Sequence, residues 1–334
     1  MRIDVKLKNN QYPVIIEKNC ISRLSNFVSL ESKFLIVSDS GVPSVYIDRV
    51  KSQLPNAIVF IFNKGEKNKN LSNYTKVLEC LLENKFSRHD YLIAVGGGVV
   101  GDLAGFAAAT YKRGINFINI PTTTLSMVDS SVGGKVAVNH GDLKNVVGTF
   151  YQPVLVLIDT TTLETLPKRH YINGVIEALK TGLIGDEILF NLFFTDDYRK
   201  AIDEIIYRSL KFKALIVSKD EKENGIRKIL NFGHTFGHAY ESYYDMKTYL
   251  HGEAVALGIM AVSKNQSYYH KLKDLFESLN IKTNVNVEED KIINLIKNDK
   301  KADGDFVDLI VVEKIGEAKI IKTKIEDLRK FLVI

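Results

Sequence analysis

Three of the seven histidines, His234, His238 and His251, lie in one short segment that reads NFGHTFGHAYESYYDMKTYLHGEAVALG. A helix brings residues four apart to one face, so His234 and His238 are predicted to project in the same direction. Two imidazoles and a carboxylate are a common ligand set for catalytic zinc. Glu177 is the candidate carboxylate, because it lies in the apolar run GVIEALK, where a buried charge needs a partner. The spacing leaves open which two histidines would bind the metal, and hydrogen-bonded core histidines are the alternative.

A second reactive stretch, PTTTLSMVDSSVGGK, begins at Pro121 and combines hydroxyls, a carboxylate, a double glycine and an ammonium group. Lys144 and Asn145 add another cation and an amide. Lysine binds phosphate or carboxylate as a point charge, while asparagine fixes the direction of a bound group. Valines and a methionine are interleaved with the polar residues, which argues against a simple surface loop. The stretch therefore predicts a site for an anionic, hydroxylated ligand.

The segment YLIAVGGGVVGDLAGFAAATY reads as a buried strand, a turn of three glycines and a helix. Glycines let the backbone approach a pyrophosphate, and the start of the helix offers it unpaired N–H groups. The pattern predicts a nucleotide-binding turn, although it differs from the GxGxxG fingerprint and a plain tight turn is the alternative. Asp102, just after the glycines, is a candidate acceptor for a cofactor, or else a first-turn residue favoured by the helix dipole.

Short apolar runs alternate with helical segments in the first half of the chain, after an alternating hairpin pattern in residues 1–16. Buried strands that alternate with helices are typical of a parallel, doubly wound α/β sheet. The loop 65–69 follows one such strand and so lies at the edge where these sheets bind ligands, although alone it reads as a solvated loop. Beyond Pro167 long amphipathic segments predominate, so we predict an α/β domain at residues 1–167 and a mainly α-helical domain at 168–334. The strand-like runs are FLIVSD, AIVFIF, YLIAV, NFINI and VLVLID, with FVDLIVVEK in the second half.

Composition argues against several classes of protein. The net charge is +5 over 334 residues without a long basic tract, so small anionic ligands are favoured and a nucleic-acid partner is not expected. Cys20 and Cys80 stand far apart, which predicts neither a disulfide nor a thiolate metal site and indicates a reducing, cytoplasmic setting. Charges interrupt the N-terminus, and glycines with Asp102 interrupt the apolar stretch at 91–111, so neither a signal peptide nor a membrane span is expected.

In combination these motifs resemble the 3-dehydroquinate synthase family, the shikimate-pathway branch of the sugar-phosphate cyclases. The matching pieces occur in the family's order across roughly residues 35–305. They are GGGVVGDLAGFAAATYKRG, PTTTLSMVDSSVGGKVAVNHGDLKN, LIDTTTLETLP, EALK, RKILNFGHTFGH and LHGEAVALG. The resemblance implies a Rossmann-like NAD-binding domain, a helical metal- and substrate-binding domain, an active site between the two, and a homodimer.

The resemblance also implies roles for individual residues. One divalent ion, zinc or cobalt, would be bound by Glu177, His234 and His251, which leaves His238 outside the ligand set to relay a proton beside the substrate. Arg113 would reach the active site of the neighbouring subunit. The other implied substrate contacts are Asp129, Lys135, Lys144, Asn145, Lys180, Arg227, Asn231 and one lysine of the pair Lys300 and Lys301. The implied NAD contacts are Asp39, Glu66, Lys69, Gly96, Gly97, Gly98, Asp102, Thr122, Thr123 and Thr165, together with Lys135 and Lys144.

The implied reaction converts 3-deoxy-D-arabino-heptulosonate 7-phosphate to 3-dehydroquinate and phosphate. NAD transiently oxidises the C5 alcohol, phosphate is eliminated, the hydride returns, and the opened ring closes by an aldol step. The alternatives are a related cyclase whose substrate lacks the carboxylate, a metal-dependent polyol dehydrogenase, and a nucleotide-binding protein without catalysis. Lys144, Asn145 and His238 favour the synthase over the first alternative. The anion contacts in SSVGGK argue against the second, and the complete set of metal positions argues against the third.

Overall fold

The computed structural model describes residues 1–245, 248–298 and 304–332. The chain forms two compact units. Unit 1 comprises Met1–Pro167 and Ile202–Lys222, and unit 2 comprises Lys168–Ala201 and Glu223–Ile334. The first transition coincides with the predicted boundary after residue 167. The segment 202–222 differs from the single-boundary prediction, because it belongs to unit 1.

Unit 1 contains nine described strands. They are β1 (Arg2–Lys6), β2 (Gln11–Ile16), β3 (Phe34–Asp39), β4 (Ile58–Phe62), β5 (Tyr91–Gly96), β6 (Asn116–Pro121), β7 (Lys135–His140), β8 (Leu143–Phe150) and β9 (Leu155–Ile158). Seven of them form one sheet in the order β1-β2-β9-β6-β5-β3-β4, and β7 pairs with β8 as a separate hairpin. β1 and β2 are antiparallel, while the other neighbours in the large sheet are parallel. The predicted hairpin and doubly wound parallel sheet are confirmed.

Helices complete both units. The α-helices are α1 (Ser44–Lys51), α2 (Leu71–Glu83), α3 (Gly98–Thr110), α4 (Lys168–Gly185), α5 (Glu187–Leu192), α6 (Ile202–Lys219), α7 (His234–Tyr243), α8 (His251–Ser263), α9 (Tyr269–Ser278) and α10 (Glu289–Asn298). Short 3-10 segments lie at Cys20–Phe27, Glu66–Asn68, Tyr111–Arg113, Thr160–Thr165, Tyr198–Ala201, Ile226–Asn231 and Ile325–Phe331, with a π-helical turn at Ser126–Ser130. None of the helices in the described part of the chain combines the length and apolar character that crossing a membrane requires.

The central strands of the large sheet are covered on both faces, which explains why they read as continuous apolar runs. All six residues of β3 are buried. Leu35 and Val37 pack into one core cluster, while Phe34 and Ile36 pack into another. Because successive side chains of a strand point to opposite faces, one apolar run fills two cores.

The order of the strands reverses at β3, which pairs with β4 on one side and with β5 on the other. Such a reversal leaves a crevice outside the carboxyl ends of the two central strands, and open α/β sheets bind ligands there. In this chain the ends of β3 and β5 carry Asp39 and the glycine turn that starts at Gly96. The topology therefore places the predicted nucleotide-binding residues at the switch point of the sheet.

Helix α6 packs within unit 1 although it follows α4 and α5 in the sequence. Ile205, Ile206 and Leu210 are buried along one face of the helix. Lys213 Nζ, on the same helix, donates hydrogen bonds to the carbonyl oxygen and Oδ1 of Asp129, at 2.5 and 2.7 Å. An apolar stripe predicts that a helix is buried but does not specify what it packs against.

In unit 2, close approach of α7 and α8 depends on glycine. A Cβ atom at Gly258 of α8 would lie 1.9 Å from the carbonyl oxygen of Gly233, just before α7. Gly233 itself has φ +77°, a left-handed conformation that suits glycine. These contacts bring the first residues of both helices, His234 and His251, near each other. A hairpin of β10 (Phe306–Lys314) and β11 (Glu317–Lys324) completes unit 2, and β10 confirms the strand predicted from FVDLIVVEK.

Candidate active site

Helices α4, α7 and α8 each contribute one donor to a three-residue cluster in unit 2. Ligand atoms of Glu177, His234 and His251 all lie within 4.8 Å of one another. Nε2 of His234 lies 3.9 Å from Glu177 Oε1, and Nε2 of His251 lies 3.5 Å from the same oxygen. The structure thus brings together the three residues that the resemblance implies as metal ligands.

The Glu177 carboxylate has the environment of a metal ligand. The residue is 1% exposed, and both of its carboxylate oxygens are buried without a hydrogen bond from the residues that the structure describes. Lys180 Nζ lies 2.6 Å from Oε2 as an ion pair, and it also donates a hydrogen bond to the carbonyl oxygen of Leu230. A buried carboxylate without hydrogen bonds is costly, and a divalent ion bound between it and two imidazoles would relieve that cost. The donor set therefore fits zinc or cobalt.

The outer partners of the two histidines fix which ring nitrogen faces Glu177. Nδ1 of His234 lies 3.1 Å from the carbonyl oxygen of Phe232, and Nδ1 of His251 lies 3.3 Å from Glu241 Oε2. Both partners accept hydrogen bonds, so Nδ1 donates to them in each ring, and Nε2 is the nitrogen that faces Glu177. Burial acts to lower the pKa of His251, but the hydrogen bond to Glu241 and the charge of Glu177 outweigh it and raise that pKa.

His238 lies beside this cluster but not in it. Its ring centroid is 5.3 Å from that of His234 and 5.9 Å from that of His251. His238 belongs instead to a second possible ligand trio, with Glu241 and His251. Both trios meet the same distance criterion, so the division of the three histidines into two ligands and one neighbour stays a prediction, and the second trio is the competing arrangement. The roles of these side chains remain predictions.

Three predicted substrate contacts belong to unit 2, and one of them, Lys180, contacts the cluster through Glu177. The hydrogen bond from Lys180 to Leu230 ties α4 to the 3-10 segment that carries Arg227 and Asn231. Arg227 is 2% exposed, a rare condition for arginine that requires polar partners. Asn231 Nδ2 donates to Glu223 Oε1 at 2.6 Å. The structure does not describe residues 299–303, so Lys300 and Lys301 lie outside the described residues.

At the carboxyl edge of the sheet in unit 1, the predicted nucleotide-binding residues follow consecutive strands. Asp39 Oδ1 accepts a hydrogen bond from the Gly41 backbone at 2.7 Å, and burial raises the pKa of Asp39. A Cβ atom at Gly97 would lie 3.0 Å from Thr123 Cγ2, so the glycine turn and the end of β6 are tightly apposed. The backbone of Thr122 donates to Gly96 at 2.9 Å, and Thr165 Oγ1 lies 3.0 Å from the Tyr46 hydroxyl.

The buried Lys69 joins two other predicted NAD contacts, Glu66 and Asp102, into one network of charges. Its Nζ lies 2.9 Å from Glu66 Oε1 and 2.9 Å from Asp102 Oδ2. Burial acts to lower the pKa of Lys69, but the two carboxylates outweigh it and raise that pKa. Burial acts to raise the pKa of Glu66, but Lys69 and the Asn139 amide outweigh it and hold that pKa below its usual value. Lys69 and Glu66 are therefore charged together at neutral pH, whereas burial raises the pKa of Asp102 despite the nearby Lys69.

Lys69→Met is expected to lower the free energy of unfolding of unit 1 by about 2 kcal/mol at neutral pH, because two carboxylates lose their cation. The Glu66 pKa is depressed in the folded state, so its favourable contribution is complete above the unfolded-state pKa and is lost as the pH falls through the folded pKa. In urea unfolding, the difference in the free energy of unfolding between the variant and the unsubstituted protein should therefore become smaller as the pH falls from about 7 to about 3. Lys67→Met, at an exposed neighbouring lysine, is the control. A difference that widens as the pH falls would contradict the assignment of charges.

The predicted substrate contacts of unit 1 have partners that the sequence did not reveal. Asp129, on the π-helical turn, is bound by the buried Lys213. Asn139 accepts from the Asn145 backbone at 2.8 Å and donates to Glu66 Oε1 at 2.9 Å, which links a predicted substrate contact to a predicted NAD contact. Lys135, at the start of β7, is exposed, as are Lys144 and Arg113. Lys213 could have been noticed in the sequence, because it is a lysine on a largely apolar face of a helix.

Solved structures of similar fold cover nearly the whole chain. A crystal structure of 2-deoxy-scyllo-inosose synthase complexed with carbaglucose-6-phosphate, NAD+ and Co2+ has a TM-score of 0.86 and 24% identity, and covers 99% of both chains. The structure of 2-epi-5-epi-valiolone synthase from Streptomyces hygroscopicus subsp. jinggangensis 5008, with NAD+ and Zn2+ bound, has a TM-score of 0.86 and 24% identity. It covers 98% of this chain and 97% of that chain. These likenesses show the fold.

Sequence comparison identifies the family. The family model 3-dehydroquinate synthase N-terminal matches residues 59–173, and the model 3-dehydroquinate synthase C-terminal matches residues 174–302. A 3-dehydroquinate synthase of Streptococcus mutans is 40% identical over an alignment of 355 positions that covers 99% of this chain and 99% of the relative. Two adjoining models and a full-length relative agree with the motifs and with the fold. The chain belongs to the 3-dehydroquinate synthase family.

Proposed function

We propose that this chain is a carbon–oxygen lyase that converts 3-deoxy-D-arabino-heptulosonate 7-phosphate to 3-dehydroquinate and phosphate in the shikimate pathway. The observation that carries the proposal is the buried Glu177 carboxylate, which accepts no hydrogen bond from the described residues and faces Nε2 of His234 and His251. Membership of the family and the 40% identity to the Streptococcus mutans relative support the same activity.

Two cofactors belong to this proposal. Glu177, His234 and His251 would hold one divalent ion, zinc or cobalt, and the carboxyl edge of the sheet in unit 1 would hold NAD. The ion, when bound, lowers the pKa of a substrate hydroxyl as a Lewis acid, and NAD accepts and returns a hydride. The two cyclases of the same fold were solved with NAD+ and with Co2+ or Zn2+, and the proposal extends those cofactors to this chain.

His238 is the proposed proton-transfer group. In this role its imidazole accepts a proton from the hydroxyl being oxidised and returns it when the alcohol is restored. The ring centroid lies 5.3 Å from that of His234 and 5.9 Å from that of His251, which supports this role. The phosphate-bearing and carboxylate-bearing ends of the substrate would be bound by the predicted cations. These are Lys180 and Arg227 in unit 2, with Lys135 and Lys144 in unit 1, and the amide of Asn145 would fix the direction of the bound group.

The carboxylate of the substrate separates this proposal from the related cyclases. Phosphate release should be measured for heptulosonate 7-phosphate, sedoheptulose 7-phosphate and glucose 6-phosphate under the same NAD and zinc concentrations. We expect turnover of the first substrate only, because the other two leave the carboxylate-binding cations without a partner. Faster release from either substrate that lacks the carboxylate would identify the alternative cyclase.

Three further features accompany the function: the class of substrate, the compartment and the oligomeric state. The substrate is a small sugar phosphate, and we propose that the enzyme works as a cytoplasmic homodimer in which Arg113 serves the neighbouring subunit. Arg113 suits such a role because it is exposed at the end of a short 3-10 segment and is held at φ 64°. Sedimentation velocity and cell fractionation test these points. A protein that stays monomeric under assay conditions, or one recovered outside the cytoplasmic fraction, would contradict them.

A further inference from the structure

The two proposed histidine ligands have chemically different outer partners. His234 is bound by a neutral backbone carbonyl, whereas His251 is bound by the carboxylate of Glu241. We propose that Glu241 is a positioning residue of the metal centre. Its carboxylate accepts a hydrogen bond from Nδ1–H of His251 and so directs Nε2 of that ring toward Glu177. The inference rests on the metal site of the proposed function and adds a residue that the motifs did not single out.

Helix geometry explains how Glu241 reaches this position. Glu241 follows His234 by seven residues on α7, so the two side chains share one face of the helix, two turns apart. The same face of α7 therefore carries the proposed ligand His234 and, two turns further along, Glu241, which is the partner of His251 on α8. The close glycine contact between the two helices keeps these side chains within reach of each other. The Glu241 side chain is 11% exposed, so its charge needs a partner, and His251 is one.

His251 lies between two carboxylates, one at each ring nitrogen. Glu177 Oε1 lies 3.5 Å from Nε2, and Glu241 Oε2 lies 3.3 Å from Nδ1. Glu241 holds Nδ1, so without this second contact the ring would lose the partner that fixes its orientation and its tautomer. Partners of this kind typically change metal affinity by about 10- to 100-fold when they are removed.

The competing possibility is that Glu241 is itself a ligand, in the trio with His238 and His251. The two arrangements differ in what each substitution removes. A positioning role predicts that Glu241 variants still bind the ion, more weakly, and that His238→Ala leaves the affinity unchanged. A ligand role predicts that His238→Ala and Glu241→Ala both abolish binding while Glu177→Gln does not.

The test measures the dissociation constant of Zn2+ by chelator competition on the full chain. Glu241→Ala is expected to weaken binding by about 10- to 100-fold, and Glu241→Gln by less, because the amide oxygen still accepts from Nδ1–H. Glu277→Gln, at an exposed carboxylate on α9, is the control. Thermal unfolding of the metal-free variants reports on the fold. A lowered unfolding midpoint with an unchanged dissociation constant would show a merely structural role and overturn the proposal.

A measurement on the unsubstituted protein keeps the proposal testable if Glu241→Ala fails to fold. In zinc-loaded protein labelled with 15N-histidine, the Nδ1 signal of His251, identified by comparison with His251→Asn, should be that of a protonated nitrogen. A metal-bound Nδ1 would overturn the proposal. Failure of the proposed function would look different, since the unsubstituted protein would then neither bind zinc nor release phosphate.

Discussion

Glu177→Gln is expected to remove the bound metal ion and to lower turnover by about a thousandfold, the equivalent of several kcal/mol of lost transition-state stabilisation. Glu177 is the only carboxylate of the proposed ligand trio, and it faces both imidazole Nε2 atoms. Glutamine has the same size but no charge, and its amide nitrogen donates where a ligand must present a lone pair. Lys180, which is 3% exposed, would also lose its carboxylate partner.

Zinc content after dialysis, measured by atomic emission and expressed per chain, tests this expectation together with phosphate release. Thermal unfolding separates loss of the metal from loss of the fold. Glu277→Gln, which removes an exposed carboxylate of the same unit, should keep both zinc and activity. An unchanged zinc content in Glu177→Gln would remove this residue from the ligand set and would favour the trio of His238, Glu241 and His251.

His238→Ala is expected to keep the metal ion and to lose turnover by about 100- to 10,000-fold, the range in which a general acid–base group contributes. The ring lies beside the proposed ligands without belonging to the Glu177 trio. Removing it therefore takes away a proton-transfer group and leaves the three donors in place. The expected signature is a large fall in kcat with an unchanged dissociation constant for zinc.

His270→Ala, at an exposed histidine on α9, is the matched control and should leave kcat and zinc binding unchanged. Single-turnover measurements refine the comparison, since they separate the chemical step from product release. Loss of zinc from His238→Ala, at a normal unfolding midpoint, would mean that the division of the histidines is wrong.

The sequence predicts the scaffold of unit 1 well, because its determinants are local. Apolar runs such as FLIVSD and YLIAV become β3 and β5, and the glycines after β5 begin a helix at the switch point of the sheet. A strand that is buried on both faces needs apolar residues at successive positions. Such a continuous apolar run is visible in a short stretch of sequence. The clustered histidines are equally visible, because they lie close together in the sequence. Two of them, His234 and His251, begin the consecutive helices α7 and α8.

Long-range contacts account for what the sequence did not predict. The apolar face of α6 is visible in the sequence, but the unit against which the helix packs is not. In unit 1 the buried Lys213 of this helix meets Asp129, eighty-four residues away. Glu241 is an ordinary polar residue in a helix until α8 packs against α7 and brings His251 to it. Asn139 joins Glu66 to Asn145 only after the β7–β8 hairpin has formed. Supporting residues of a site are chosen by tertiary packing, so no local pattern marks them.

The central claim is that the chain oxidises its substrate only transiently while it eliminates phosphate. The most direct measurement follows phosphate and NADH together, with purified protein, NAD, zinc and 3-deoxy-D-arabino-heptulosonate 7-phosphate. We predict phosphate release over many turnovers per NAD, abolished by a chelator and restored by zinc, with no steady accumulation of NADH. NADH that accumulates in proportion to substrate consumed would contradict the account and indicate a dehydrogenase.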